Sequence, residues 1–173
     1  MAHLTSSVEY ALHCLLWLAD NDTPASSRDL AELQGISPSF VAKILPRLEK
    51  AGIVASTGGV RGGYRLARPA AAISFLDVVD AVEGAKPLFE CQEIRARCAL
   101  FDDGAPGWAT RGVCGIHAVM LEAERAMRDA LAAHSLADVA GRVARKAPAS
   151  FEAEVRTWFD RRHAARPRGA RSR

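Results

Sequence analysis

Two short amphipathic segments joined at a glycine constrain the fold of this chain more than any other feature. They form the stretch "SSRDLAELQGISPSFVAKILPRLEKAG", residues 26–52. Ser26 and Asp29 have the spacing of a capping box, which begins a helix, and Gly35 suits the left-handed turn that ends one. Ser37 can then cap a second helix that has Pro38 at its first position. The order of these signals predicts a helix-turn-helix.

The second of these helices has a clear apolar side, formed by Phe40, Val41, Ile44, Leu45 and Leu48. These residues recur at the spacing that puts them on one face of a helix. Pro46 lies inside the same helix, where proline removes a hydrogen bond and crowds the preceding turn. We therefore expect a kink between Ala42 and Pro46.

A β-hairpin is predicted directly after the helix-turn-helix. Two β-prone runs, Ile53–Ser56 and Tyr64–Ala67, flank a glycine-rich loop that contains Arg61. A hairpin in this position is the wing of a winged-helix domain. Helices are predicted on either side of this unit, one from Ser6 with Glu9 as its capping acid, and one capped by Ser74.

The winged-helix prediction selects candidate DNA contacts. The second helix of the motif enters the major groove, and its early residues meet bases or phosphates. Arg61 at the wing tip is expected in a narrow minor groove. Phe40 could touch a thymine methyl, although core packing is favoured, and the default interpretation of Arg28 is an ordinary surface charge. The candidate set is Arg28, Ser37, Ser39, Phe40, Lys43, Arg47 and Arg61, with Lys43 and Arg47 as phosphate anchors.

Three of the four cysteines lie in one stretch, "CQEIRARCALFDDGAPGWATRGVCGIH", which ends at His117. Cys91, Cys98 and Cys114 lack the close pairing of a zinc site. An iron–sulfur cluster tolerates irregular loop spacing, and His117 or a carboxylate could add a fourth ligand. The alternatives are a metal-free thiol switch, a solvated histidine, or unrelated exposed thiols. Cys14 lies in the first helix and is expected to be a small buried residue.

The rest of the chain favours a mainly α-helical protein. Residues 115–134 have helical periodicity, and a helix beyond a complete small domain needs a partner surface, either in a two-fold dimer or on its own domain. The predicted division is a winged helix-turn-helix domain at residues 1–84, a cysteine-bearing loop at 85–114, a dimerisation helix with C-terminal helices at 115–160, and a basic disordered tail at 161–173.

Composition narrows the class of protein further. We found no apolar run long enough to cross a membrane and no secretory signal, so we expect a cytoplasmic protein without membrane contact. In that compartment clustered cysteines more often bind metal or sense redox state than form disulfides. The glycine and nucleophile patterns of common enzymes are missing, so we expect no enzymatic activity.

Several of these stretches together resemble the bacterial Rrf-type winged-helix regulators, the group that includes IscR, NsrR and RirA. The likeness covers roughly residues 1–140 and rests on "SSVEYAL", "LAELQGISPSFVAKILPRLEKAGIVAS", "GGYRLARP", "ISFLDVVDAVEG" and the cysteine stretch that runs into the long helix. It implies a homodimer built on crossed long helices that represses or activates genes, with a repressor favoured. One domain carries few basic residues, so two domains on a palindromic double-stranded DNA operator would combine their contacts. The implied targets are genes for iron, cluster assembly, nitric oxide or redox stress.

The resemblance also implies an iron–sulfur cluster near the dimer interface, held by Cys91, Cys98 and Cys114. The fourth ligand would be His117, or Glu9 of the partner subunit. Two departures affect this comparison. The interval from Cys98 to Cys114 is longer than is usual in the family, which leaves the cluster type open, with 2Fe–2S favoured over 4Fe–4S. Gly58 stands where the family usually has a wing arginine, and Arg61 follows it.

Overall fold

The computed structural model describes residues 4–101 and 103–167, and this part of the chain is mostly helical, as predicted. Its elements are α1 Ser6–Ala19, α2 Ser27–Gln34, α3 Pro38–Lys50, β1 Val54–Thr57, β2 Gly63–Leu66, α4 Phe75–Glu83, α5 Gly107–Thr110, α6 Gly115–Ala132, α7 Leu136–Lys146 and α8 Phe151–Ala165. The chain divides into two compact units, one up to Ala85 and from Leu131 onward, and one from Lys86 to Ala130. Within the described ranges, no helix is long and apolar enough to cross a membrane.

Local capping explains where several helices begin. Complete capping boxes are formed by Ser26 with Asp29, and by Ser74 with Asp77, as predicted. Gly35 ends α2 in the left-handed conformation, with φ of 69°. The prediction for α1 was wrong by one residue, because Thr5 caps it by accepting a hydrogen bond from the N–H of Ser7. Glu9 is therefore not the capping acid, and its side chain is exposed on α1.

The hairpin is joined to the segment that leads into α2. β1 and β2 are antiparallel, with Val54 opposite Leu66 and Thr57 opposite Gly63. The N–H of Tyr64 donates to the carbonyl of Ala25 at 2.8 Å, and the N–H of Ala25 donates back at 3.0 Å. A Cβ at Gly63 would lie 2.7 Å from the Ala25 backbone, so only glycine fits this close approach.

The core of the first unit combines the N-terminal helices with the C-terminal ones. Helices α1 to α4 supply most of the buried apolar residues, and Leu136 of α7 and Phe159 of α8 are at most 1% exposed within the same cluster. The N–H of Leu136 donates to the carbonyl of Ile73 at 2.9 Å, which joins α7 to the segment before α4. Helices α7 and α8 therefore belong to the winged-helix unit.

Helix α8 extends to Ala165, so the predicted disorder does not apply to residues 161–165. Arg162 forms an ion pair with Glu32, and Arg166 forms one with Asp29. The remainder of the predicted basic tail, residues 168–173, lies outside the described residues. Helix α3 continues through Pro46 to Lys50, and the predicted kink stays a prediction.

The second unit contains the cysteine-bearing loop, with a single 3-10 turn at Ile94–Arg97 and the short α5, followed by α6. None of the residues of α6 is buried. Apolar side chains of this helix face solvent instead, with exposed fractions of 66% for Ile116, 63% for Val119 and 41% for Leu121.

Candidate nucleic-acid interface and cysteine segment

The N-terminal half of α3 presents polar side chains on the side opposite the core. Ser37 is the N-cap residue of α3, as predicted, but its side chain makes no capping hydrogen bond; its hydroxyl instead shares a hydrogen bond of 2.8 Å with that of Ser39. Both serines and Lys43 are exposed, as is Arg28 on the preceding helix. Hydroxyls and cations on one exposed face can hydrogen-bond to base edges and phosphates.

Phe40 is predicted to pack in the core or to touch a thymine methyl, with core packing favoured. Its side chain is 45% exposed, so it is not a core residue. Its ring meets that of Tyr10 edge-to-face, with centroids 5.7 Å apart and an angle of 87° between the planes. This contact joins α1 to the start of α3 and leaves part of the Phe40 ring at the surface.

Arg47, which is predicted to be a phosphate anchor, has a hydrogen-bond partner within the chain. Its Nη1 donates to the carbonyl oxygen of Val82 at 2.7 Å. Val82 lies in the last turn of α4, where carbonyls have no partner within the helix. Arg47 therefore caps α4 and joins it to α3. A local sequence pattern could not show this bond, because the two residues are far apart in the chain.

Arg61, which is predicted to reach a narrow minor groove from the wing tip, has a hydrogen-bond partner within the chain. Its side chain is half-buried, and its Nε donates to the carbonyl oxygen of Arg166 at 3.4 Å. Val60 is the exposed apolar residue of this loop, with 52% of its side chain accessible. The wing thus carries its arginine against the C-terminal part of the chain.

We define the cysteine segment as residues 91–114. Its three cysteines have free thiols, with Cys98 exposed and Cys91 and Cys114 half-buried. Arg95 ties the two halves of the segment together: its Nη2 donates to the carbonyls of Thr110 at 3.3 Å and Gly112 at 3.0 Å. Glu93 pairs with the same guanidinium.

Arg95 also interacts electrostatically with two of the thiols, those of Cys114 and Cys91. This residue was not among the predicted site residues. A basic residue between two cysteines was the available signal.

Cys114 immediately precedes α6 and has an altered acidity. Hydrogen bonds from the backbone N–H groups of His117 and Ile116, with a further contribution from the Arg95 charge, lower the pKa of this thiol. His117 is half-buried in the first turn of α6, and its ring centroid lies 6.0 Å from that of Phe89. The N–H of Leu88 donates to a carboxylate oxygen of Glu124 at 3.0 Å, which anchors the chain before the segment to α6.

Comparison with known protein families shows the family to which this chain belongs. A model described as "Rrf2: Iron-dependent Transcriptional regulator" matches residues 4–142, which is most of the chain. The chain belongs to the Rrf2 family. The family is one of transcriptional regulators, and several relatives, IscR among them, are named as such, so this chain is a transcriptional regulator rather than an enzyme.

Individual Rrf2-family relatives support this assignment. Protein rrf2 of Nitratidesulfovibrio vulgaris is 36% identical over 138 residues, which cover 79% of this chain and 85% of the relative. IscR of Vibrio vulnificus is 40% identical over 91 residues, 51% of this chain and 54% of IscR. The solved structure of CymR, the global cysteine regulator of B. subtilis, aligns with a TM-score of 0.60 and 22% identity over 82% of this chain and 98% of CymR. This structural likeness confirms the winged-helix fold.

The cysteines and histidine of the cysteine segment and the start of α6 are residue types that bind iron, but their side chains do not converge on one position. Thiolates are the usual ligands of iron–sulfur clusters, and imidazole can replace one. In the described ranges, however, no three His, Cys, Asp or Glu side chains converge on a metal position. Cys91, Cys98, Cys114 and His117 share one loop and helix start, which a bound group can draw together because metal binding and local ordering are coupled.

Proposed function

We propose that this Rrf2-family chain acts in the cytoplasm as a homodimeric repressor that binds palindromic double-stranded DNA and responds to an iron–sulfur cluster on its cysteine segment. One observation carries the proposal. Three free thiols lie in a segment whose two halves are joined by hydrogen bonds of Arg95, and that segment leads directly into a helix whose apolar side chains are exposed.

The proposed DNA surface consists of the early residues of α3 and the wing. Ser37 and Ser39 would meet base edges or phosphates, and Lys43 would anchor a phosphate. One such surface has few charges, so a single domain would bind weakly. Two domains on a palindrome combine their contacts, with half-sites about one helical turn, ~34 Å, apart.

The proposed dimer surface is the exposed apolar face of α6. Ile116, Val119 and Met120 lie on one side of the helix, and they are 66%, 63% and 36% exposed in the single chain. A helix with this much accessible apolar surface gains free energy by packing against another helix, and a second copy of the same face is the simplest partner.

Cys91, Cys98 and Cys114 would hold the cluster, with a fourth ligand from His117 or from Glu9 of the partner subunit. Glu9 is exposed and therefore open to a second subunit, and His117 lies three residues after Cys114 and is half-buried. We propose a 2Fe–2S cluster. Such a group supplies a centre whose content and oxidation state follow iron supply, redox stress and nitric oxide. The iron-dependent description of the family is consistent with this cofactor.

The test is an anaerobic purification followed by an absorption spectrum and counts of iron and acid-labile sulfide. We expect coloured protein, and loss of the visible bands in Cys91→Ser, Cys98→Ser and Cys114→Ser. Cys14→Ala is the matched control, because Cys14 is buried in the first unit and should leave the colour unchanged. Comparing His117→Ala with Glu9→Ala identifies the fourth ligand. Colourless anaerobic protein without iron or sulfide would contradict the cluster proposal.

A metal-free thiol switch is the second candidate, and the lowered pKa of Cys114 favours it. A thiolate beside Arg95 reacts more readily with oxidants than an ordinary thiol. This candidate expects colourless protein under anaerobic conditions, together with a disulfide between two of the loop cysteines after mild oxidation. Non-reducing electrophoresis and mass spectrometry would separate the two candidates.

A further inference from the structure

Arg166 connects the wing with the start of α2. Its Nη1 donates to the carbonyl oxygen of Gly62 at 2.6 Å, and its Nη2 pairs with a carboxylate oxygen of Asp29. The backbone carbonyl of Arg166 also accepts from Nε of Arg61. The side chains of Arg166 and Asp29 are only 15% and 7% exposed. One nearly buried guanidinium therefore joins two parts of the DNA-binding domain.

The position of Arg166 is set by the helix before it. We call α8 together with Arg166 the C-terminal strap. Phe159 of the strap is 1% exposed in the core, and the carboxylate of Asp160 accepts from the hydroxyl of Thr23 at 2.6 Å. The family model matches residues 4–142, so the strap lies outside the residues that the model matches.

The wing needs an external restraint because of its sequence. Four glycines at positions 58, 59, 62 and 63 give the loop many accessible backbone conformations, and ordering them costs conformational entropy. A two-stranded hairpin with strands of this length is marginal by itself. Within the loop, the N–H of Gly62 donates to the carbonyl of Gly59 at 2.8 Å. The side chain of Arg166, which lies outside the loop, donates to the carbonyl of the same Gly62.

We propose that Arg166 is a positioning residue for DNA binding, which ties the glycine-rich wing to the N-terminus of α2 and so fixes the wing beside α3. The inference rests on the proposed DNA surface for its effect on binding, but the restraint on the wing can be measured without DNA. The planar guanidinium matters, because it offers two donors in a fixed fork, whereas lysine has a single ammonium group.

The test combines hydrogen exchange of the wing with operator binding, in the full-length protein. In Arg166→Ala, amide exchange of residues 58–63 should be at least about tenfold faster, and the operator Kd about tenfold weaker, equivalent to ~1.4 kcal/mol. In Arg166→Lys the ion pair with Asp29 can persist, so thermal stability should stay near that of the wild type. Wing exchange should nevertheless remain fast, because lysine cannot serve both partners.

Two controls separate this role from general effects. Arg161→Ala removes a guanidinium from an exposed position of the same helix and should leave wing exchange unchanged. A chain that ends at Pro167 lacks residues 168–173 but keeps Arg166, and it too should keep wild-type wing exchange. Loss of protection in either control would overturn the assignment to Arg166.

The outcomes distinguish the inference from the proposed function. Unchanged wing exchange in Arg166→Ala, or full restoration of protection by Arg166→Lys, would overturn the positioning role even if the protein binds DNA. Faster wing exchange with unaltered operator affinity would also overturn it. If the wild type itself shows no preference for any palindromic DNA, the proposed function fails, and the exchange data still report on the restraint.

Discussion

Lys43 is the side chain of α3 that tests the DNA surface most directly. It is exposed on the face opposite the buried Val41, Ile44 and Leu45. Each phosphate contact in B-DNA contributes about 0.9 to the slope of log affinity against log salt. A homodimer has two copies, so Lys43→Gln should reduce the magnitude of that slope by about 1.8. Because phosphate contacts carry little sequence information, affinity should fall to a similar extent for operator and mutated operator.

Fluorescence anisotropy of a labelled operator across a series of salt concentrations measures this slope. Lys50→Gln is the matched control, since Lys50 ends the same helix and lies about 10 Å further along its axis. Its slope should equal that of the wild type. An unchanged slope in Lys43→Gln, or an equal loss in both variants, would refute the placement of the N-terminal half of α3 on DNA.

Three further variants or treatments test other parts of the structure. Phe159→Ala should lower the free energy of unfolding by ~3–5 kcal/mol in urea denaturation, because it leaves a cavity at a buried site. Val143→Ala, at a position 39% exposed, should lower it by about 0.5 kcal/mol or less. Equal effects of the two substitutions would contradict the packing of α8. Burial raises the pKa of the Cys14 thiol to about 12, so alkylation of the reduced, metal-free protein should label the cysteines of the cysteine segment and spare Cys14, which mass spectrometry would check. Burial by itself would raise the pKa of Asp29, but hydrogen bonds from Ser26 and the ion pair with Arg166 hold it below its ordinary value. The carboxylate therefore stabilises the fold above its unfolded pKa of about 4, and Asp29→Asn should lose most stability near neutral pH, with the difference from the wild type shrinking as the pH falls below that value.

The parts of the fold that the sequence predicted well are those decided by neighbouring residues. The capping boxes at Ser26 and Ser74, the glycine that ends α2, and the apolar spacing of α3 all act within a few residues. The hairpin followed from β-prone runs around glycines, and each of its two strands begins within one residue of its predicted start. Cys14 is buried, as its place in an apolar helix indicated.

The parts of the structure that the sequence could not show are contacts between distant residues. Arg47, Arg61 and Arg166 have the same local character as any surface arginine, and their partners were invisible to a local pattern. Arg47 caps a helix that begins far along the chain, and Arg166 pairs with Asp29 across more than a hundred residues. Composition made residues 161–165 look disordered, yet the core position of Phe159 and the ion pair of Arg162 with Glu32 extend the helix through them.

The cysteine segment was recognisable from the sequence, but its internal order was not. The spacing of the three thiols and His117 marked the segment, whereas the bonds of Arg95 to the carbonyls of Thr110 and Gly112 required coordinates. Those bonds bring a positive charge to the thiols and restrain the segment from within.

The most direct test of the central claim is operator affinity as a function of cluster content in one preparation. Anaerobic protein is divided, one half is stripped of iron and sulfide, and both halves are titrated with the same operator at the same salt concentration. We expect the two halves to differ in Kd by about 5–150-fold, the usual range of allosteric coupling, and we expect no difference when Cys98→Ser protein is treated in the same way. Equal affinity of the two wild-type halves would contradict the claim that the cysteine segment controls DNA binding.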